Sequence, residues 1–510
     1  MQAKAVEHHQ AGRRNDAEDL YRKILEINPH HADALHLLGV IAHQGRRHDE
    51  AVELIRKAIA IHPKGASYYS NLGNALRAQG RLDEAVRSYR QSICLAPQNF
   101  EVYVNLGNVL REKGALAEAV ESYRQALALH PNSPEAHVSL GNALQEQDNS
   151  EEAERCYLKA LQLNPLYAEA HYNLGNFLQD QGDLEGAMSR YQRASALGPN
   201  NDNIAFAVAL AEIQRGEFSR GWPQYERRWN TDFHDTPCRF YRQPLWKGER
   251  LTSGNLFIWG EQGIGDEIMF AGILPDVLRS GNHCTVECDP RLRPLYARSF
   301  SGVDILSRGA GETIEFAAHL PSGSLPGLYR RTAASFAVTS SPYLVADPVQ
   351  RTKLRDRYSD GRRVAGLAWY TRNKRTGRLR SMDLSLFGPL FAHPEIRWIS
   401  LQYGGHGDLE EQAAAARAPL LIDRQVDQLT DMDLFAAQVA AMDLVITIDN
   451  STAHLAAALG VAVWLLLPFA ADWRWLLHRD DSPWYPTMRL FRQPRPHDWR
   501  PVIEQVNDVL

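Results

Sequence analysis

The sequence predicts an all-α repeat solenoid followed by an α/β region, and three observations predict it. Pro29, Pro63, Pro97, Pro131, Pro165 and Pro199 recur every 34 residues. Gly39, Gly73, Gly107, Gly141 and Gly175 keep the same period, and from about residue 254 the pattern changes to short apolar runs separated by amphipathic stretches. The first two patterns belong to stacked helical hairpins and the third to a parallel sheet whose strands are joined by helices.

Within the repeats, Ala17, Ala51, Ala85, Ala119, Ala153 and Ala187 share the period, and Tyr89, Tyr123, Tyr157 and Tyr191 follow their alanines by four residues. Small Gly and Ala suit the approach of two helices. Tyr is expected to fill the gap between repeats, and Pro ends each second helix because it cannot continue one. A partial unit (Ala17, Tyr21, Pro29) opens the chain, five full units follow, and a degenerate one runs past Pro199 through Gly221 and Tyr225. The solenoid is therefore expected over 1–230, with a linker over 231–253.

Beyond the linker, candidate strands are Asn255–Gly260, Cys284–Cys288, Asp304–Ser307, Phe316–Leu320, Val364–Trp369, Trp398–Gln402, Leu444–Asp449 and Ala462–Leu467. The polar stretch Asp347–Arg363 separates two groups of four. Two Rossmann-like halves are expected, over 254–346 and 360–510.

Composition sets the outer limits. Of 510 residues 44% are hydrophobic and 23% charged, so the chain can bury real cores. A formal charge of −5 argues against nucleic acid as a partner. Beyond residue 230, 28 of the 31 basic side chains are Arg, which suits bidentate grip on phosphate or carboxylate, with a high-GC codon bias as the alternative explanation. Five scattered cysteines (Cys94, Cys156, Cys238, Cys284, Cys288) and a polar N-terminus without a signal peptide point to a reducing, cytoplasmic setting. Leu455–Ala471 lacks charge but contains Gly460 and Pro468 and is too short to span a membrane.

Two motifs can carry chemistry. The first strand runs into Gly260-Glu261-Gln262-Gly263-Ile264-Gly265-Asp266-Glu267, a glycine turn opening a helix. Such a turn lets a backbone approach a ligand and aims free amides at phosphate, although Ile268 stands where a dinucleotide fingerprint has its third glycine. A plain turn capped by Asp266 is the alternative. The second motif runs from Val445 to Gly460. An apolar strand delivers Asp449 to its end, with Asn450, Ser451, Thr452 and His454 opening an Ala-rich helix. The alternative there is capping by Asp449 and Ser451 and a buried His454. Asp431-Met432-Asp433 has the DxD form of metal-dependent transferases but opens a helix and is expected to cap it, so no metal or other cofactor is expected.

GEQGIGDEIMF, GLAW followed by Arg380-Ser381, Ser400-Leu401-Gln402, DLVITIDNSTAHLAAALG and DWRWLLHRDDSPWYPTMRLFRQ together resemble bacterial glycosyltransferases in which tetratricopeptide repeats precede a two-domain GT-B catalytic region. The catalytic region is similar to heptosyltransferases and the architecture to protein O-GlcNAc transferase. The fold implied is an all-α tetratricopeptide-repeat solenoid followed by an α/β GT-B region of two Rossmann-like halves. The resemblance implies inverting, metal-independent transfer from a nucleotide sugar, with Asp266 as general base. It implies donor binding by Gly263, Gly265, Arg380, Gln402, Asp449, Asn450, Ser451, Thr452 and His454.

Trp473, Trp475, Trp484 and Tyr485, with Arg474 among them, read as core packing or as a platform for sugar or base. Trp222, Tyr225, Trp229 and Trp246 read as the glue between solenoid and catalytic region.

Asn71, Asn74, Asn105, Asn108, Asn142, Asn173 and Asn176 would build a ladder of amides along the concave surface, interrupted by Ser139. An amide can donate to and accept from a peptide backbone, and the matching ladder of O-GlcNAc transferase holds its protein substrate. A protein acceptor is thereby implied, with flagellin, the acceptor of some relatives, as a candidate. A structural or self-associating homo-oligomeric solenoid, a lipopolysaccharide or lipid-linked sugar acceptor, and a scaffold with an inactive transferase region are the other readings.

Overall fold

The computed structural model describes residues 1–231, 236–309, 314–337, 342–373 and 377–510. They form two compact units, Met1–Leu178 with Ser189–Gly198, and Gln179–Met188 with Pro199–Leu510.

Among the described residues fourteen α-helices precede the sheets: α1 (Gln2–Gln10), α2 (Arg14–Ile27), α3 (Ala32–Gln44), α4 (His48–Ile61), α5 (Ala66–Ala78), α6 (Leu82–Leu95), α7 (Phe100–Glu112), α8 (Leu116–Leu129), α9 (Pro134–Glu146), α10 (Ser150–Leu163), α11 (Ala168–Asp180), α12 (Leu184–Leu197), α13 (Asp202–Gln214) and α14 (Phe218–Tyr225). Helices α2, α4, α6, α8, α10 and α12 each end two residues before a proline of the 34-residue series.

The periodic tyrosines pack chiefly on the glycine of the facing helix in their own repeat, where the expectation placed them between repeats, and Tyr157 also meets Phe177 of the next repeat at 5.9 Å. A Cβ on Gly73, Gly107, Gly141 or Gly175 would stand 2.6–2.7 Å from the ring of Tyr89, Tyr123, Tyr157 or Tyr191, all fully buried. Glycine is thus required by the ring lying on the partner helix, and each buried ring contributes roughly 2 kcal/mol of apolar burial.

A second ladder joins successive second helices: Arg22–Glu50 at 3.1 Å, Arg56–Glu84 at 2.8 Å, Arg90–Glu118 at 2.6 Å and Arg124–Glu152 at 2.8 Å. Being solvated, each pair is worth at most about 1 kcal/mol, so the ladder favours stacking register more than stability.

The turn between the helices of each pair also repeats. Gly12, Arg46, Gly80, Gly114, Asp148, Gly182 and Gly216 all adopt positive φ, 34 residues apart. Only Arg46 and Asp148 are not glycine, and there the side chain bears left-handed strain.

The helical hairpins run to Tyr225, whereas packing divides the chain earlier. Helices α13 and α14 belong with the sheets, because Ala209, Ile213, Phe218, Trp222 and Tyr225 share a core with Leu256, Ile268 and Trp473. Trp222 meets Trp473 edge-on at 5.8 Å, and Trp229 lies 5.3 Å from Trp259. In the stretch expected as linker, Leu245 forms a parallel bridge with His319 and Trp246 is buried.

The first sheet comprises β1 (Leu256–Trp259), β2 (Cys284–Cys288), β3 (Asp304–Ser307) and β4 (Ala318–Pro321), parallel, in the order β3-β2-β1-β4. The second comprises β5 (Arg363–Ala368), β6 (Ile396–Ser400), β7 (Leu420–Leu421), β8 (Leu444–Ile448), β9 (Val463–Leu467) and β10 (Met488–Arg492), in the order β10-β9-β8-β5-β6-β7 and also parallel. That is the doubly wound order, with chain reversal between β5 and β8.

The sequence expectation of four strands per half misses β7, only two residues long, and β10, whose apolar run is interrupted by Arg489 and closed by Arg492.

Four further helices position the site: α15 (Ile264–Ala271), α16 (Pro348–Tyr358), α17 (Met432–Ala440) and α18 (Ser451–Ala458). The stretch read as a separator is largely α16, capped by Asp347 and tied to the second sheet by Arg355–Asp443 and Arg357–Asp423.

Candidate functional site

The parallel sheets place ligand-facing residues at strand C-terminal ends, and there β1, β5 and β8 deliver theirs to one cavity of about 550 Å³. After β1 the chain must turn sharply. A Cβ on Gly260 would stand 2.6 Å from Glu267 Oε1 and 2.9 Å from the Glu287 carbonyl, and Gln262 takes a φ of +63°. Gly263 precedes α15. On Gly265 a Cβ would lie 3.2 Å from His454 Cδ2, so that glycine lets α15 approach the first turn of α18.

Asp266, in the first turn of α15, makes no side-chain cap and is ion-paired with Arg474.

On the other side, Asp449 follows β8 directly, only 4% exposed, with Oδ2 at 2.9 Å from Arg380 Nη1. Burial pushes the Asp449 carboxyl up, against Arg380. Asn450 Oδ1 caps α18 at the Ala453 amide, while its buried Nδ2 has no partner among the described residues. Ser451 and His454 line the cavity; Thr452 is wholly buried and does not. His454 accepts from or donates to the Tyr485 hydroxyl at 2.9 Å and stacks on Trp475 at 5.3 Å. Burial, with Arg474 nearby, pushes the imidazole down to about 3, so His454 is neutral at physiological pH.

Arg380 Nη2 reaches Asp472 Oδ2 at 3.1 Å, and Arg474 Nη1 reaches Asp472 Oδ1 at 2.6 Å. The order Asp449, Arg380, Asp472, Arg474, Asp266 is therefore a chain of alternating charge running from the second half to the first. Burial alone would raise the Asp472 carboxyl, but Arg474 and Arg380 together hold it below the usual carboxylate range.

Sequence reasoning misses Asp472 and the role of Arg474. Their signal is weak, an Arg flanked by Trp473 and Trp475, and Trp473 also lines the cavity while Trp475, Trp484 and Tyr485 are core. The DxD segment behaves as a cap: Asp431 accepts from the Leu434 amide, and Asp433 pairs with Arg298.

Gln402 is misplaced by the sequence expectation. It is 1% exposed and does not line the cavity. Its Oε1 accepts from the Trp369 and Tyr370 amides, and Nε2 donates to the Tyr370 and Tyr403 carbonyls. With all four valences committed to backbone, it braces the loop that carries Thr371 and Asn373 into the cavity.

Tyr225 also lines the cavity and accepts from Gln262 Nε2 at 2.9 Å. Next to it, Glu261 is locked by fully buried Arg228 through bonds of 2.8 and 2.9 Å and accepts from the Gly323 amide.

In the repeats, Asn74, Asn108, Asn142 and Asn176 each accept from the tyrosine hydroxyl of their own repeat at 2.6–2.8 Å. This sets the amide direction, carbonyl to the tyrosine and NH₂ away from it. Asn71 is bonded to His36 at 2.8 Å and Asn173 to the Glu169 carbonyl at 2.9 Å; Asn105 is half-buried.

One tetratricopeptide-repeat family model matches residues 3–66 and 138–202, another 73–114 and 107–148, and a third 54–87. The repeats are tetratricopeptide repeats. Repeats of this kind serve protein interaction. Protein FlbA of Caulobacter vibrioides is 29% identical over 333 residues, 60% of this chain and 54% of FlbA, so the chain spans about half the length of that curated relative. Among solved structures, Pseudomonas aeruginosa PilF is 26% identical over 39% of this chain and 91% of its own, with a TM-score of 0.35. YrrB, described as a tetratricopeptide-repeat protein with an unusual peptide-binding site, is 21% identical over 37% of this chain and 96% of its own, with a TM-score of 0.31. No helix among the described residues is long and apolar enough to cross a membrane.

Proposed function

We propose that the chain is a glycosyltransferase of the GT-B type, moving a sugar from a nucleotide sugar to a polypeptide held by the repeats. The observation that carries the reading is the meeting of Asp266 with Asp449, Arg380 and the first turn of α18 in one cavity. The sequence resemblance supplies the reaction class.

In this reading the acceptor hydroxyl oxygen attacks the anomeric carbon from the face opposite the diphosphate. The new C–O bond forms as the bond to the diphosphate breaks, the electron pair leaves with the nucleoside diphosphate, and the hydroxyl proton passes to Asp266. Arg380 and the free amides of α18 offset the charge of the leaving group. The NH₂ groups of Asn108, Asn142 and Asn176, turned away from their tyrosines, donate to the carbonyls of an extended peptide, joined by that of Asn74, which also reaches Asn71 Oδ1 at 3.4 Å.

The test is transfer of label from a panel of nucleotide sugars to flagellin by the 510-residue chain. Asp266→Asn should lower transfer by at least about 100-fold while the thermal midpoint stays unchanged. Undiminished transfer removes Asp266 as the base, and no transfer together with no nucleotide binding favours a scaffold.

A further inference from the structure

Arg474 is shared between two carboxylates, and the sharing is unequal. Nη1 is bonded to Asp472 at 2.6 Å, Nη2 to Asp266, and the guanidinium lies 4.4 Å from the centre of the Trp473 ring. Asp472 is also held by Arg380, and Asp449 is buried against Arg380. Asp266 stands at the end of the chain of charges, and its side chain is 20% exposed against 17% for Asp472 and 4% for Asp449.

Among the described residues, the arginines that line the cavity are each ion-paired: Arg308 with Glu267, Arg380 with Asp449 and Asp472, and Arg474 with Asp472 and Asp266. A multiply charged anion entering this cavity competes with these carboxylates for the guanidinium groups. The partner yielded at least cost is an end member of the chain, held by one cation, and of the two ends Asp266 is the more exposed.

We infer that Arg474 is a positioning residue that occupies Asp266 until a diphosphate competes for it, so that donor binding frees the carboxylate oxygen that receives the acceptor proton. This rests on the glycosyltransferase reading above. It adds an order to the reaction, donor before acceptor, because an Asp266 oxygen aimed at a guanidinium is not presented to a hydroxyl. By linkage, whatever loosens Asp266 from Arg474 tightens the anion, and by the same factor.

The experiment is calorimetric titration of inorganic pyrophosphate into the 510-residue chain and a double-mutant cycle. Asp266→Asn should tighten pyrophosphate on the order of 10-fold in the parent, and by less than about 2-fold once Arg474→Gln has removed the shared cation. Equal tightening in both backgrounds would mean that Asp266 acts only as a nearby like charge and would overturn the inference while leaving the donor site in place. Failure of both parent and Asp266→Asn to bind pyrophosphate defeats the donor-site reading and the inference with it. If circular dichroism shows Arg474→Gln unfolded, Arg474→Lys takes its place. The ammonium is a single point charge without the two separated nitrogens of the guanidinium fork and holds the two carboxylates less firmly, so the tightening should fall below about 3-fold, and an undiminished 10-fold effect would again overturn the inference.

Discussion

The Tyr225 hydroxyl accepts a hydrogen bond from Gln262 Nε2 at 2.9 Å, although Tyr225 is the next member of the tyrosine series of the repeats. In four earlier repeats the hydroxyl donates to an asparagine fifteen residues before it. At the corresponding position of the last repeat stands Leu210, which has no acceptor. The hydroxyl is thereby released to the glycine turn, and Leu210 and Tyr225 become cavity wall. Tyr225→Phe should cost about 1 kcal/mol in urea unfolding and weaken nucleotide binding more than it weakens the fold. Unchanged nucleotide affinity would show that Gln262 does not need this anchor.

Arg228 and Glu261 are both wholly buried and bidentate. Truncating one leaves an uncompensated charge, so Arg228→Ala should lower stability by roughly 3–5 kcal/mol, read from the denaturant midpoint. A loss below about 1 kcal/mol would mean that water reaches the pair.

At the repeated turn, Arg46 takes a φ of 61° where most repeats have glycine. Arg46→Gly relieves about 1–2 kcal/mol of left-handed strain and gives back about 0.4–1 kcal/mol in unfolded-chain entropy. A net gain of roughly 0.5–1 kcal/mol is expected, and Gly114→Ala should lose a similar amount. Thermal unfolding of the two variants checks both signs.

His454 carries a pH dependence. Its folded value lies near 3 and its unfolded value near 6.5, so the unfolded chain binds the proton more readily. The neutral buried ring therefore supports the fold fully above about pH 6.5, and that support is lost as pH falls toward 3, at up to about 1.4 kcal/mol per pH unit. His454→Gln should flatten the fall in stability between pH 6.5 and 4.5. An equal slope in the variant would place the acid sensitivity elsewhere, for instance at His36, whose ring burial also holds down, to about 4.

The repeats are legible because a fixed period needs only local residues: Gly73 and Tyr89 lie sixteen apart in one hairpin. Asp266 and Asp449 are legible for a similar reason, as each follows its own strand. The charge chain is not, since Arg380 and Asp472 are 92 residues apart and Asp266 and Arg474 208 apart, and only the two sheets bring them together. Gln402 shows the converse: its place after a strand is visible in the sequence, but four backbone bonds consume the amide that a ligand would need. The tyrosines of the repeats likewise have visible positions, while the direction they impose on the asparagine amides requires the packed hairpin.

The most direct measurement is the thermal midpoint of the 510-residue chain against a panel of nucleoside diphosphates. At least one should stabilise the fold, by about 2.7 kcal/mol at a hundredfold excess over Kd, and Arg380→Ala should remove the effect. A panel in which no nucleotide moves the midpoint, or in which Arg380→Ala leaves the shift intact, would contradict a donor site in this cavity.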